Sequence, residues 1–413
     1  MTNLLWPGEH RAGEHMSDPA FLRSMVAVES AWLRALAGAG LAPPDCVGVD
    51  LSHLVGSVDC DVLAVPAEDG GNPVIGLVSL LRQRADPVIG PWIHRGLTSQ
   101  DVVDTSLMVG LRGVVNEISG QLGEQISALS ALVQTHRATP MVARTLTQHA
   151  APTTFGAKAA GWLNGVVDAY HRLSELATPA QFGGAVGIWS ATTELATLLT
   201  GSGDPAAVAD HVVRSATTDL GLDFRLPWHT TRTPVTAVAD ALVDCTDCWG
   251  HIASDVVTSA RPETGELDEP VSAHRGGSSA MPHKRNPVLS ILIRRAAIAA
   301  PPLAATLHTA AALAHDERPD GAWHVEWETV RTLARRTVAA GSQCSELLSG
   351  LQIHTERMGE NLAAADVRGE QRAIADLVEI APSTTYFGAA ERLVDESLQR
   401  AERALTRRPA RRG

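Results

Sequence analysis

The sequence predicts an all-α protein built on a central bundle of long helices, and three observations carry that expectation. Apolar residues recur at three- and four-residue steps along most of the chain, the spacing of one helical face. Several of these stretches run for many turns without a proline. Runs that alternate apolar and polar residues, the mark of a half-buried strand, are almost absent.

Taken in order, Phe21, Leu22, Met25, Val26, Val28, Trp32, Leu33 and Leu36 form the first apolar face. Pro43-Pro44 and the segment Glu68-Asp-Gly-Gly-Asn-Pro73 break up the chain after it. Asp101–Arg137 then reads as one long helix, and Pro152 sits near the first turn expected for Thr153–Leu176, where proline is tolerated. Thr236–Ser259, Val288–Ala300 and Trp323–Leu351 read the same way. Helices of roughly 25 to 35 residues would be about 40 to 50 Å long, lengths that suit a bundle burying its faces over many turns and between subunits. The punctuation divides the chain into an N-terminal helical region (1–96), a central long-helix region (97–350) and a short C-terminal region (351–413) ending in the basic run Arg407–Arg412.

Composition narrows the class. A chain of 413 residues with 45% hydrophobic and 19% charged residues is ordinary for a folded globular protein and long enough to bury a large core. A net charge of −12 argues against non-specific nucleic-acid binding, while leaving room for a locally basic pocket that takes an anion. Five cysteines form no disulfide framework, and the start lacks a basic segment followed by an apolar one, so a cytoplasmic protein is expected. The uncharged run Ala296–His315 is mostly alanine, contains Pro301-Pro302, and reads as too weak to span a membrane. Of 34 basic residues only Lys158 and Lys284 are lysines, and a surviving lysine suggests a place where a compact ammonium matters.

Lys284 lies in the sharpest segment, Gly276-Gly-Ser-Ser-Ala-Met-Pro-His-Lys-Arg-Asn-Pro287. Glycines, serines and prolines predict a loop between helices, and hydroxyls, an imidazole, an ammonium and an amide are concentrated in it with little hydrophobic anchoring. Polar loops of this kind on a rigid scaffold carry function more often than they merely solvate a turn.

This segment closely resembles the signature of the fumarase/aspartase superfamily. His94-Arg-Gly-Leu-Thr-Ser-Gln-Asp-Val-Val-Asp-Thr105 and Arg144-Thr145-Leu-Thr-Gln148-His149, with Pro152 and Phe155-Gly156, are similar to its other two blocks, in the same order. Pro227-Trp-His-Thr-Thr-Arg232, Glu317-Arg318 and Trp323-His-Val-Glu-Trp-Glu328 resemble the 3-carboxy-cis,cis-muconate cycloisomerase branch. The resemblance implies a three-domain helical fold, a homotetramer whose active sites each draw on different subunits, and anti addition or elimination on a small polycarboxylate without a cofactor or metal. It implies that Ser278 is the general base and that Lys284 and Asn286 hold the carboxylate beside the deprotonated carbon. Thr98, Ser99 and Gln148 would bind the other carboxylate, with Thr145, Ser279 and Met281 lining the pocket. Arg144 and Arg232 would act as anion clamps, and His94 and His149 would be available for proton transfer. An unassisted serine is too weak a base, so its alkoxide must be steadied by loop amides and a nearby cation such as Lys284.

One position departs from the pattern. Many members carry a histidine after the threonine matching Thr145, as acid for the leaving group; here it is Leu146, which cannot donate a proton. Hydroxide needs protonation to leave, whereas a carboxylate, with a pKa near 4, departs unaided. With the cycloisomerase resemblance, this implies lactone chemistry on 3-carboxy-cis,cis-muconate as the first expectation, with release of another stable anion, such as nitrite from nitrosuccinate, as the alternative. Adenylosuccinate cleavage comes third, and an inactive structural homologue is the non-enzymatic alternative. Weaker signals add little. Cys245-Thr-Asp-Cys248 with His251 lacks a second pair and reads as core cysteines, and the glycine pairs lack a phosphate-loop context. For Trp323, Glu326, Trp327 and Glu328 two readings stay open: lining the site, or tryptophans packing between helices with exposed carboxylates.

Overall fold

The structure, a computed structural model, describes residues 3–406 except Val271, Ala273, His274, Ser279 and Pro282. A short 3₁₀ turn, Glu9–Ala12, precedes α1 (Asp18–Gly38). Ser17 caps that helix, its Oγ accepting the Ala20 amide, and Pro19 occupies the first turn, where no partner for its missing N–H is needed. The α1 face predicted from spacing is buried, with Leu22, Met25, Val26, Trp32, Leu33 and Leu36 all in the core. Short helices α2 (Asp59–Ala64), α3 (Ala67–Gly70) and α4 (Val74–Arg84) fill the segment that the glycines and prolines break up.

The bundle comes next: α5 (Ser99–Thr135), α6 (Phe155–Ser174), the flanking α7 (Ser190–Thr200) and α8 (Pro205–Asp219), then α9 (Thr233–Ser259), α10 (Val288–Ala312) and α11 (Gly321–Ser349). Side-chain bonds fix their directions. Asp104 near the start of α5 meets Arg232 at the start of α9 and Trp323 at the start of α11, so these three helices set out from one end. About two-thirds of the way along, Gln125 of α5 accepts the Trp249 indole N–H at 2.7 Å and donates to the Gly341 carbonyl at 3.1 Å. Helices α6 and α10 return between them. Close approach requires glycine at position 341: a Cβ there would lie 2.1 Å from Gln121 Oε1 and 2.8 Å from the Trp249 ring. Beyond the bundle, α12 (Thr355–Ala364) packs on a β-hairpin, α13 (Gly369–Val378) comes after it, and α14 (Ala390–Thr406) lies back along α6 and α5.

Two departures from the sequence reading bear on function. The second motif block is that hairpin: β1 (Pro140–Thr145) pairs antiparallel with β2 (Gln148–Thr154) across the two-residue turn Leu146-Thr147, both at positive φ. A second pair, β3 (Leu267–Asp268) with β4 (Gln352–Ile353), lies near the base of the signature loop. Pro152 therefore sits in β2, and α6 begins at Phe155 with Thr154 as its cap. The other departure is α10, which continues through Pro301-Pro302 to Ala312. Both prolines are exposed, so the carbonyls they leave unpaired face outward, where water can satisfy them. By length and composition α10 could cross a membrane, with mean hydropathy 1.5 and a third of that window buried. In the fold it packs against α9 and α11, leaving Ile291 and Ile298 exposed.

Candidate active site

The three motif blocks fold into three different devices. At the start of α5, Asp101 accepts the Thr98 amide at 3.0 Å, the Gly183 and Gly184 amides at 2.8 and 2.9 Å, the Gln181 side chain at 3.1 Å and His229 Nε2 at 3.1 Å. One buried carboxylate thus locks the helix start that presents Thr98 and Ser99 to two neighbouring loops. His94, at φ 65°, meets the buried Glu29 Oε1 through Nδ1 at 2.6 Å, which fixes the ring's orientation. Glu29 supplies the orienting carboxylate that the sequence motif alone does not reveal.

The expectation that Arg232 clamps an anion is corrected. Its side chain is fully buried, and the guanidinium meets Asp104 at 2.7 and 3.0 Å and Glu326 at 2.5 to 3.1 Å. Burial by itself would lower the Arg232 pKa, but the two carboxylates outweigh it and hold the group charged. Trp323 Nε1 donates to Asp104 at 2.9 Å. Trp323 and Glu326 therefore belong to helix packing, and Glu326 is buried rather than solvated; of the two carboxylates only Glu328 is exposed.

The hairpin presents the second block at the far end of the bundle. Thr145, Gln148 and His149 are all exposed on it, with Leu146 and Thr147 at the tip. Arg144 is not a free clamp either. It makes a two-pronged pair with the fully buried Glu266, both bonds 2.8 Å, and Asn361 Nδ2 donates to the same carboxylate. That pair ties the hairpin to the chain leading into the signature loop.

The loop itself hangs from a neck. Gly276, at φ 77°, accepts both the backbone and the side-chain amide of Asn286, at 2.8 and 3.1 Å. A Cβ on residue 276 would sit 2.6 Å from the Asn286 carbonyl, so glycine is required. Asn286 therefore closes the neck with the amide expected to hold a carboxylate. Within the loop, Ser278 Oγ accepts the Met281 amide at 3.1 Å and the Ala280 amide at 3.4 Å. Met281, His283 and Lys284 are exposed, and among the described residues no ion pair involves the Lys284 ammonium. Ser279 lies outside the described residues. Glu269 accepts the Leu289 and Ser290 amides at 3.0 and 2.6 Å, fixing the start of α10 just after the loop.

Placed on the bundle, the blocks do not form one cluster. Thr98 and Ser99 stand at one end of α5, a helix of 37 residues, and the hairpin stands beyond its other end. That separation is about 55 Å at 1.5 Å per residue. The signature loop, between the end of α9 and the start of α10, lies at the hairpin end. Among the described residues no group of histidine, cysteine and carboxylates with metal-site geometry appears.

Comparison with known proteins identifies the family. A protein-family profile described as lyase matches residues 71–300. The chain is 42% identical over 363 residues to nitrosuccinate lyase from Streptomyces davaonensis, covering 86% of this chain and 75% of that protein. It is 37% identical over 355 residues to 3-carboxy-cis,cis-muconate cycloisomerase from Bradyrhizobium diazoefficiens, covering 84% and 76%. The crystal structure of 3-carboxy-cis,cis-muconate lactonizing enzyme from Pseudomonas putida superposes with TM-score 0.79 at 29% identity, over 95% of this chain and 97% of that one. The chain belongs to the fumarase/aspartase superfamily and is an enzyme of that lyase class.

Proposed function

We propose that the protein eliminates a stable anion from a small dicarboxylate, with nitrosuccinate the first candidate, and that Ser278 is the base. The observation that carries this reading is the Ser278 turn: two loop amides, of Ala280 and Met281, already point at Oγ. Backbone donors aimed at an oxygen stabilise it most when it bears charge, which is what a serine alkoxide requires. Lys284, exposed on the same loop, supplies a mobile cation for that alkoxide or for the substrate carboxylate.

In the reaction, Ser278 Oγ takes a proton from the CH₂ next to one carboxylate. The C–H electron pair becomes the new C=C bond, and the neighbouring C–N bond breaks with its pair leaving as nitrite; the carbon product is an unsaturated diacid. No proton is needed by the leaving group, in keeping with Leu146 at the position where many relatives carry an acid. The 42% identity to nitrosuccinate lyase favours this substrate over carboxymuconate, reversing the order read from the motifs. Lactone closure is the second reading, favoured by the 0.79 TM-score to the lactonizing enzyme. It too uses an anion as the attacking or departing group.

We further infer that sites are shared between subunits, with a homotetramer as the assembly. The separation of Thr98 from Gln148 by the length of α5 supports this, as do the exposed Ile291 and Ile298 on α10. The test is a substrate screen of purified protein: nitrite release from nitrosuccinate, loss of diene absorbance from 3-carboxy-cis,cis-muconate, and AMP from adenylosuccinate. Nitrite release is the expected result. Turnover of adenylosuccinate alone would overturn the reading, because that leaving amine benefits from an acid.

A further inference from the structure

We propose that Glu346 and Arg275 are positioning residues for the signature loop, and that the N-terminal segment acts through them as a strap holding the loop's neck. The inference rests on the reading of Ser278 as base and goes beyond it to how that base is held.

Three residues before Ser278, Arg275 Nη2 meets Glu346 Oε1 at 2.6 Å. The other oxygen of Glu346 takes Arg11 Nη2, also at 2.6 Å, and Arg11 Nη1 donates to Ser342 Oγ at 3.1 Å. A single carboxylate near the end of α11 therefore joins the N-terminal segment to the residue just outside the Gly276–Asn286 neck. Burial of Glu346 works to raise its pKa, but Arg11 and Arg275 outweigh it, so the carboxylate is held below its ordinary range. The strap is bolted elsewhere too. Trp6 lies between the guanidiniums of Arg295 and Arg336, 3.7 and 3.9 Å from its ring. Arg295 donates to the Pro7 carbonyl at 2.9 Å, and Arg335 donates to the His15 carbonyl at 2.5 Å and to Glu9 at 3.2 Å.

The loop needs an outside hold. Between Arg275 and Ser278 stand two glycines, the residues with the most backbone freedom. Moving a catalytic group by about 1 Å can cost on the order of 100-fold in rate, and such groups stay in place only when supporting residues lock them.

Glu346→Gln keeps the shape and removes the charge that both arginines share. The expected result is a kcat lowered roughly 10- to 100-fold, with a smaller rise in KM, because Thr98, Ser99 and Gln148 lie outside the loop while Lys284 lies on it. Amide hydrogen exchange should quicken within residues 277–286 and not along α11. Arg275→Lys should retain more activity than Arg275→Gln. Should Glu346→Gln fail to fold, Arg11→Gln cuts only the strap arm, and a several-fold loss of kcat with faster loop exchange is expected. The proposal is overturned if a folded Glu346→Gln or Arg11→Gln protein keeps kcat within about twofold and leaves loop exchange unchanged. It is also overturned if exchange rises evenly through α11 and the bundle. Exchange needs no substrate, so inactivity of the parent protein on every acid tested would count against the proposed reaction alone.

Discussion

At the scale of single residues, Leu146 decides most. It stands 96% exposed at the tip of the hairpin, at φ 47°, with Thr147 at φ 72°. An L-residue in the left-handed region costs about 1 to 2 kcal/mol, so this turn is strained by two residues that would normally avoid it. In one chain nothing packs over this side chain, so a histidine here would meet no burial penalty. The argument from leaving groups is independent of burial and gives a sharper expectation. Leu146→His should leave kcat/KM for an anion-releasing substrate unchanged or lower. A tenfold gain, about 1.4 kcal/mol of transition-state stabilisation, would mean that departure is limited by protonation and would sink the reading. The signature segment was legible as a loop because its glycines, serines and prolines lie together in sequence. Arg232 misled because the carboxylates that neutralise it lie 128 and 94 residues away, and no local pattern announces them.

At the scale of elements, the buried cluster of Arg232, Asp104, Glu326 and Trp323 pins the starts of α5, α9 and α11 together. Arg232→Met would leave two carboxylates buried without their cation. Removing one partner of a buried charge cluster costs about 3 to 5 kcal/mol, which a urea unfolding midpoint would register. A loss under about 1 kcal/mol would mean that water reaches the cluster. The long helices were legible from spacing, since each buries one continuous face. The hairpin was not: its turn is Leu-Thr, without the glycine or asparagine that marks a two-residue turn with positive φ. Nor was the continuation of α10, because proline is read as a stop unless one knows that its side of the helix is exposed.

At the scale of the whole molecule, α5 holds apart groups that the proposed reaction needs together. Chains carrying Thr98→Ala and chains carrying Gln148→Ala, each impaired alone, should recover part of the activity when mixed and allowed to exchange subunits. Some sites in the mixed assemblies would then be built wholly from intact parts. No recovery after exchange has been demonstrated by mass would count against shared sites. The overall architecture was readable from helix lengths, whereas the division of labour between the ends of the bundle emerged only once α5, α9 and α11 were seen to start side by side.

The length of α5 has a genetic consequence. A chain whose Thr98 end serves one site while its Gln148 end serves another confines a defect at either end to one of those sites. In a cell carrying two copies of the gene, one altered at Thr98 and the other at Gln148, some sites would draw both intact ends from different chains. Two inactive alleles would then complement each other, whereas two alleles altered at the same end would not.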